Sequence, residues 1–149
     1  MNLSEHFTLE EAIRSDTATR KGLDNSPSAE VLANMMEAAE QLEVVRRLLD
    51  APIQVTSWYR SPKLNTLIGG SATGAHPEGW AIDFRAPGFG TPLEVCRAVR
   101  DSGIKFDQLI YEGAGSGAWV HISFAPRMRQ QVLTAAFKAN GVSYTAGIS

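Results

Sequence analysis

The stretch Gly74-Ala75-His76-Pro77-Glu78-Gly79-Trp80-Ala81-Ile82-Asp83-Phe84 changes character halfway along. Gly74, Pro77 and Gly79 break regular structure, as do Gly69 and Gly70 just before them. Trp80 to Phe84 is rich in strand formers. His76 therefore belongs to a loop and Asp83 to the strand that follows it. A single helix through both would hold them about 10 Å apart along its axis, too far to share one ion. A loop folded back over the start of a strand brings them together. Alternation in that strand turns Trp80, Ile82 and Phe84 to one face, and Ala81, Asp83 and Arg85 to the other.

Downstream, Phe106 to Glu112 reads as a strand, Gly113-Ala114-Gly115-Ser116-Gly117 as a turn and Ala118 to Phe124 as the returning strand. Val120, Ile122 and Phe124 share the face that enters the core, and Trp119, His121 and Ser123 share the other. Joining the polar faces puts Glu112 near His121. Two imidazoles and a carboxylate, His76, His121 and Asp83, form an N,N,O ligand set that leaves one position of a tetrahedral zinc open for chemistry. A carboxylate beside such a centre, here Glu112, serves as general base.

The remaining chain supplies a frame. Thr8-Leu9-Glu10-Glu11 is a capping box that opens a short helix. A second short helix spans Asp16 to Lys21 and stops at Gly22. Val31, Met35, Ala38, Leu42, Val45 and Leu49 recur at helical spacing and predict a long helix from near Pro27 to Leu49. Ile53 to Ser57 is a short strand, and Ser61-Pro62 starts a brief helix through Leu67. Thr91-Pro92-Leu93-Glu94 is a second capping box, whose helix ends by Gly103. Pro126 is expected to open a last helix that stops near Asn140-Gly141. The fold class is α+β: one domain over residues 1–149, with a small, mainly antiparallel sheet flanked by helices.

Composition narrows the function. Hydrophobic content of 44%, charged content of 20%, a net charge of -2 and a pI near 5.9 describe a globular domain with no nucleic-acid footprint. No apolar run reaches membrane-spanning length, so membrane insertion is not expected. Met1 to His6 lacks the pattern of a signal peptide. The expectation is a protein made in the cytoplasm that reaches its substrate by another route, and a monomer. Cys96 has no partner for a disulfide and reads as a small core residue. For His6 the reading is a surface or core histidine, since nothing near it in the sequence completes a site.

Ser57-Trp58-Tyr59-Arg60-Ser61-Pro62, Leu64-Asn65, Gly69-Gly70-Ser71, then His76, Gly79, Ala81 and Asp83, and finally Trp119-Val120-His121, occur in an order that resembles the zinc D-alanyl-D-alanine carboxypeptidase family. These peptidoglycan peptidases share a fold with the signalling domain of hedgehog proteins. Leu3 to Glu11 also looks like compact members found in bacteriophages and prophages, so the likeness covers nearly the whole chain. The resemblance implies zinc held by His76, Asp83 and His121, with Glu112 as the base. Arg60 would stabilise the oxyanion or a substrate carboxylate, and Tyr59 and Trp119 would line the cleft. The implied substrate is the peptide part of peptidoglycan, cut at D-Ala–D-Ala, at a D-Ala–diaminopimelate cross-link or at L-Ala–D-Glu. Release during phage lysis, or carriage in a virion, would bring such an enzyme to the wall.

Two features depart from the family pattern. Glu112 stands nine residues before His121, farther than is usual, because a glycine-rich insertion precedes Trp119. Gly74 occupies the position where many relatives carry a substrate-contacting Ser, with Ser71 and Thr73 as nearby substitutes. Blander readings stand beside these: Glu112 as a hairpin-end charge, Arg60 as a salt-bridge residue, Trp58 and Tyr59 as plain core. A non-catalytic, zinc-containing wall-binding or virion module is the alternative function. A purely structural zinc fits poorly with an Asp ligand and only three protein ligands.

Overall fold

The computed structural model describes residues 1–70, 74–113 and 115–148. Helices α1 (Leu9–Ile13), α2 (Asp16–Lys21) and α3 (Ala29–Leu49) precede strand β1 (Gln54–Ser57) and helix α4 (Pro62–Ile68). Then come β2 (Ala81–Arg85), α5 (Pro92–Arg100), β3 (Gln108–Glu112), a 3₁₀ turn (Gly115–Gly117), β4 (Trp119–Ser123), β5 (Gln131–Lys138) and β6 (Gly141–Ala146).

The helix starts follow from local chemistry. Thr8 and Thr91 each accept a hydrogen bond from the backbone N–H three residues on, and Glu11 and Glu94 reciprocate, closing both capping boxes. Ser15, Ser28 and Ser61 cap α2, α3 and α4 in the same way without the reciprocal carboxylate. The N-terminal segment is tied to α3 through Glu43, which is buried. Its carboxylate accepts from the Ser4 hydroxyl at 2.6 Å and the His6 backbone N–H at 2.7 Å, and it meets His6 Nδ1 at 2.7 Å. His6 is thus a structural partner, as its isolation in the sequence implies.

The six strands lie in the order β1-β2-β4-β3-β5-β6. The pairs β1–β2, β2–β4, β3–β4 and β5–β6 are antiparallel, and β3–β5 is parallel. One face of the sheet carries Ile82, Phe84, Leu109, Val120 and Ile122, which pack with Met35, Leu42 and Val45 of α3 and with Val95, Cys96 and Val99 of α5. The Cys96 thiol is fully buried there, and burial pushes its pKa up to about 12. The opposite face is left for the site.

Two expectations are corrected. The sheet is mixed rather than mainly antiparallel, and residues 131–146 form a hairpin instead of a last helix. Val132, Ala135 and Ala136 suit a helical stripe as well as a strand, so local periodicity does not decide. The free edge of β3 decides. Its backbone groups need a ladder partner, which β5 supplies from Gln108↔Gln131 to Glu112↔Ala135. Asn140-Gly141 acts as hairpin chemistry, not as a helix stop: Lys138 pairs with Gly141 across Ala139 and Asn140, and Gly141 holds φ at 127°. Residues 124–130 carry the chain from β4 around the beginning of β3. Along this path Gln130 N–H donates to Phe106 O at 3.0 Å and Gln131 N–H to Asp107 O at 2.9 Å.

Candidate metal centre

Strand register assembles the site. Asp83 on β2 lies directly opposite His121 on β4, His121 opposite Ile110 on β3, and Ile110 opposite Leu133 on β5. Cross-strand partners share a face, so these four side chains form one row on the side away from the core. Glu112 and Trp119, paired with each other, form the adjacent row on the same face. His76 comes from the turn before β2, which folds back as its glycines predict: Gly79 N–H donates to His76 O at 3.1 Å and Trp80 N–H to Ala75 O at 3.1 Å.

That turn is braced by Trp58, which is buried. Its indole N–H donates to Gly79 O at 2.8 Å, and its carbonyl lies 2.7 Å from His76 Nδ1. A carbonyl only accepts, so Nδ1 carries the proton and Nε2 keeps its lone pair for a metal. Gly79 has φ +85°, and a Cβ there would meet Met35 Cγ at 2.6 Å. Only glycine lets the chain turn against α3 at this point and deliver His76 inward.

The ligand atoms of His76, Asp83 and His121 all lie within 4.8 Å of one another, and all three residues are buried. His76 Nε2 stands 3.5 Å from Asp83 Oδ2, and His121 Nδ1 stands 2.8 Å from Asp83 Oδ1. Ligands about 2.0–2.1 Å from a tetrahedral zinc are roughly 3.3 Å apart, close to both Asp83–histidine separations. The donor set of two imidazoles and one carboxylate suits zinc and leaves one side facing the cleft. Burial alone would raise the Asp83 pKa, but His76 and His121 outweigh it and hold the carboxyl well below the usual range. Burial likewise opposes charge on His121, and the Asp83 hydrogen bond overcomes it and raises the imidazole pKa.

Glu112 Oε1 lies 3.9 Å from His121 Nδ1. Burial pushes its carboxyl above the ordinary range. Arg60 reaches Ser57 Oγ at 3.2 Å, Asn65 Oδ1 at 3.5 Å and Asp83 Oδ2 at 3.4 Å. It lines the cleft and also pairs with Asp83 of the cluster. Trp119 lines the cleft with its ring 5.4 Å from that of Phe137. Tyr59 is packed in the hydrophobic core and is not among the residues lining the cleft. Ser71 and Thr73 lie outside the described residues.

The cleft measures about 700 Å³, enough for a short peptide. Sequence reasoning did not anticipate its far wall, where Leu133, Phe137, Val142 and Tyr144 of the β5–β6 hairpin face Arg127 and Arg129 of the preceding loop. The helix expected over this region hid that wall. Trp58 was also missed as a brace, since backbone carbonyls leave no signature in a sequence.

Residues 5–123 match the family model described as Peptidase M15. The match ends with β4, so the loop 124–130 and the β5–β6 hairpin lie beyond it. No curated protein matches the chain.

Proposed function

Because this chain belongs to the peptidase M15 family of zinc peptidases, we propose that it hydrolyses the stem peptides or peptide cross-links of bacterial peptidoglycan by DD-carboxypeptidase or DD-endopeptidase chemistry. The observation that carries this reading is the buried His76-Asp83-His121 cluster with Glu112 beside it and a peptide-sized cleft in front.

His76, Asp83 and His121 would hold zinc, which would supply Lewis acidity at this centre. Glu112 takes the proton of the attacking water and returns it to the leaving amine. Arg60 offers planar, always-charged N–H groups to the negative charge developing on the carbonyl oxygen. His76 is kept in the metal-binding tautomer by the Trp58 carbonyl. Trp119 and the β5–β6 hairpin line one side of the cleft. Gly74, in place of the Ser expected near the first histidine, favours cross-linked peptides over a free C-terminal D-Ala as substrate.

Mass spectrometry of muropeptides released from purified sacculi by zinc-loaded protein tests the reading. Cleavage at a D-Ala bond is expected, together with loss of zinc in His76→Ala, Asp83→Ala and His121→Ala. Sacculi and a D-Ala–D-Ala peptide both left intact would overturn it in favour of a wall-binding or virion module.

A further inference from the structure

We propose that Arg127, with Arg129 positioned beside it, forms a second anionic subsite that takes a substrate carboxylate two or three residues from the scissile bond. This deepens, and rests on, the reading of the cleft as a peptidoglycan peptidase site.

Asp107 is fully buried at the start of β3. It accepts from Arg129 Nε at 2.8 Å, Arg129 Nη2 at 2.9 Å and the Arg129 backbone N–H at 3.1 Å. This two-pronged pairing fixes the Arg129 guanidinium at the cleft edge. Arg127 Nη2 reaches the same carboxylate at 3.4 Å, and its side chain is 57% exposed. Two guanidinium charges thus share one carboxylate, and one positive charge is left over at the rim.

The backbone presents both arginines deliberately. Met128 has φ 41° and Gln130 has φ 55°, left-handed conformations that non-glycine residues rarely adopt. They flank Arg129 and turn alternate side chains toward the cleft. Such outliers persist where surrounding contacts over-determine them, and the Asp107 bonds do so here. Next to the arginines, Gln131 Oε1 accepts from Gln108 Nε2 at 2.8 Å, leaving the Gln131 NH₂ as a further donor on the cleft lining.

Register gives the reach. From His121 on β4 the paired Ile110 lies one strand spacing away, about 5 Å, and β3 runs back from Ile110 through Gln108 to Asp107, where the arginines sit, over about another 10 Å, so the two ends stand roughly 11 Å apart. An extended peptide covers that distance in about three residues. Ile110 and Gln108 line the cleft between, so a chain lying along it meets its first uncompensated cation at Arg127. A stem peptide cut at a D-Ala bond carries the D-Glu α-carboxylate at about that remove.

The test uses the full chain, zinc-loaded, as Glu112→Gln to suppress turnover. The probes are two disaccharide pentapeptides, one with the D-Glu α-carboxylate free and one with it as the carboxamide, titrated by calorimetry. The acid is expected to bind at least tenfold more tightly than the amide. Arg127→Gln should make the two equal, and Arg127→Lys should restore part of the difference. Equal affinities in the Arg127 protein, a preference that survives Arg127→Gln, or no binding of either probe would overturn the subsite. Digestion of sacculi by the unsubstituted protein is read separately. Cleavage without acid preference removes the subsite and keeps the proposed function. Acid preference without cleavage removes the function and keeps the subsite as a binding feature.

Discussion

Asp83 faces His76, His121 and Arg60 at once, and most of what single substitutions should do follows from such shared contacts. Glu112→Gln keeps the shape of the side chain but cannot accept a proton. Turnover should fall at least about a hundredfold, with zinc content unchanged by metal analysis. Arg60→Lys keeps the charge but loses the planar fork that spans Ser57, Asn65 and Asp83. It should lower kcat markedly, and it should also weaken zinc retention because Asp83 loses its brace. Asp107 contributes to the pH dependence of stability. Burial alone would raise its pKa, but the Arg129 hydrogen bonds outweigh this and hold it below the usual range. A depressed folded-state pKa contributes stability that is complete above the unfolded value of about 3.9 and is lost as pH falls through the folded value. Urea midpoints should therefore drop below about pH 4, and Asp107→Asn should flatten that drop while costing about 2 kcal/mol at neutral pH. At this scale the sequence was informative where chemistry is rare. Two histidines and an aspartate in a broken loop, a strand and a hairpin point to the cluster that the structure forms. Trp58 and Asp107 act through a carbonyl and a long-range ion pair, which spacing does not reveal.

Elements were legible where their signals are local. The capping boxes at Thr8 and Thr91, the long apolar stripe of α3 and the β3–β4 hairpin all follow from residues a few positions apart. The β5–β6 hairpin did not, because a parallel pairing with β3 depends on a partner more than twenty residues away. The same dependence makes the wall it forms separable from the metal centre. Phe137→Ala removes the ring that stacks on Trp119, and it should raise KM severalfold while leaving zinc content and kcat nearly unchanged. The turn at Gly79 behaves in the opposite way. Gly79→Ala places a Cβ against Met35 and strains a positive φ, costing at least about 1 kcal/mol. Because that turn carries His76, zinc retention should fall together with thermal stability. Calorimetry and metal analysis on one preparation would separate the two behaviours.

At the scale of the whole molecule, the metal centre joins pieces that the chain holds far apart. The turn carrying His76 is braced by Trp58, and β2 and β4 contribute one candidate ligand each. Zinc bound only by the folded chain should therefore stabilise all of it, by about 2.7 kcal/mol when free zinc is a hundredfold above Kd. His121→Ala should abolish that gain in a melting experiment. The flanking helices and the core were readable as a whole; the mixed sheet and its far wall were not, since both rest on the β3 edge. Cys96 adds one more property. Its thiol is the chain's only one, sealed between α5 and the sheet with a pKa near 12, and a disulfide reagent needs an exposed thiolate. The native protein should therefore remain unlabelled for as long as its core stays shut, and labelling becomes a clock for complete opening. Adding zinc should slow that clock by the same factor by which it lowers the open population, giving the strength of the metal centre without any substrate at all.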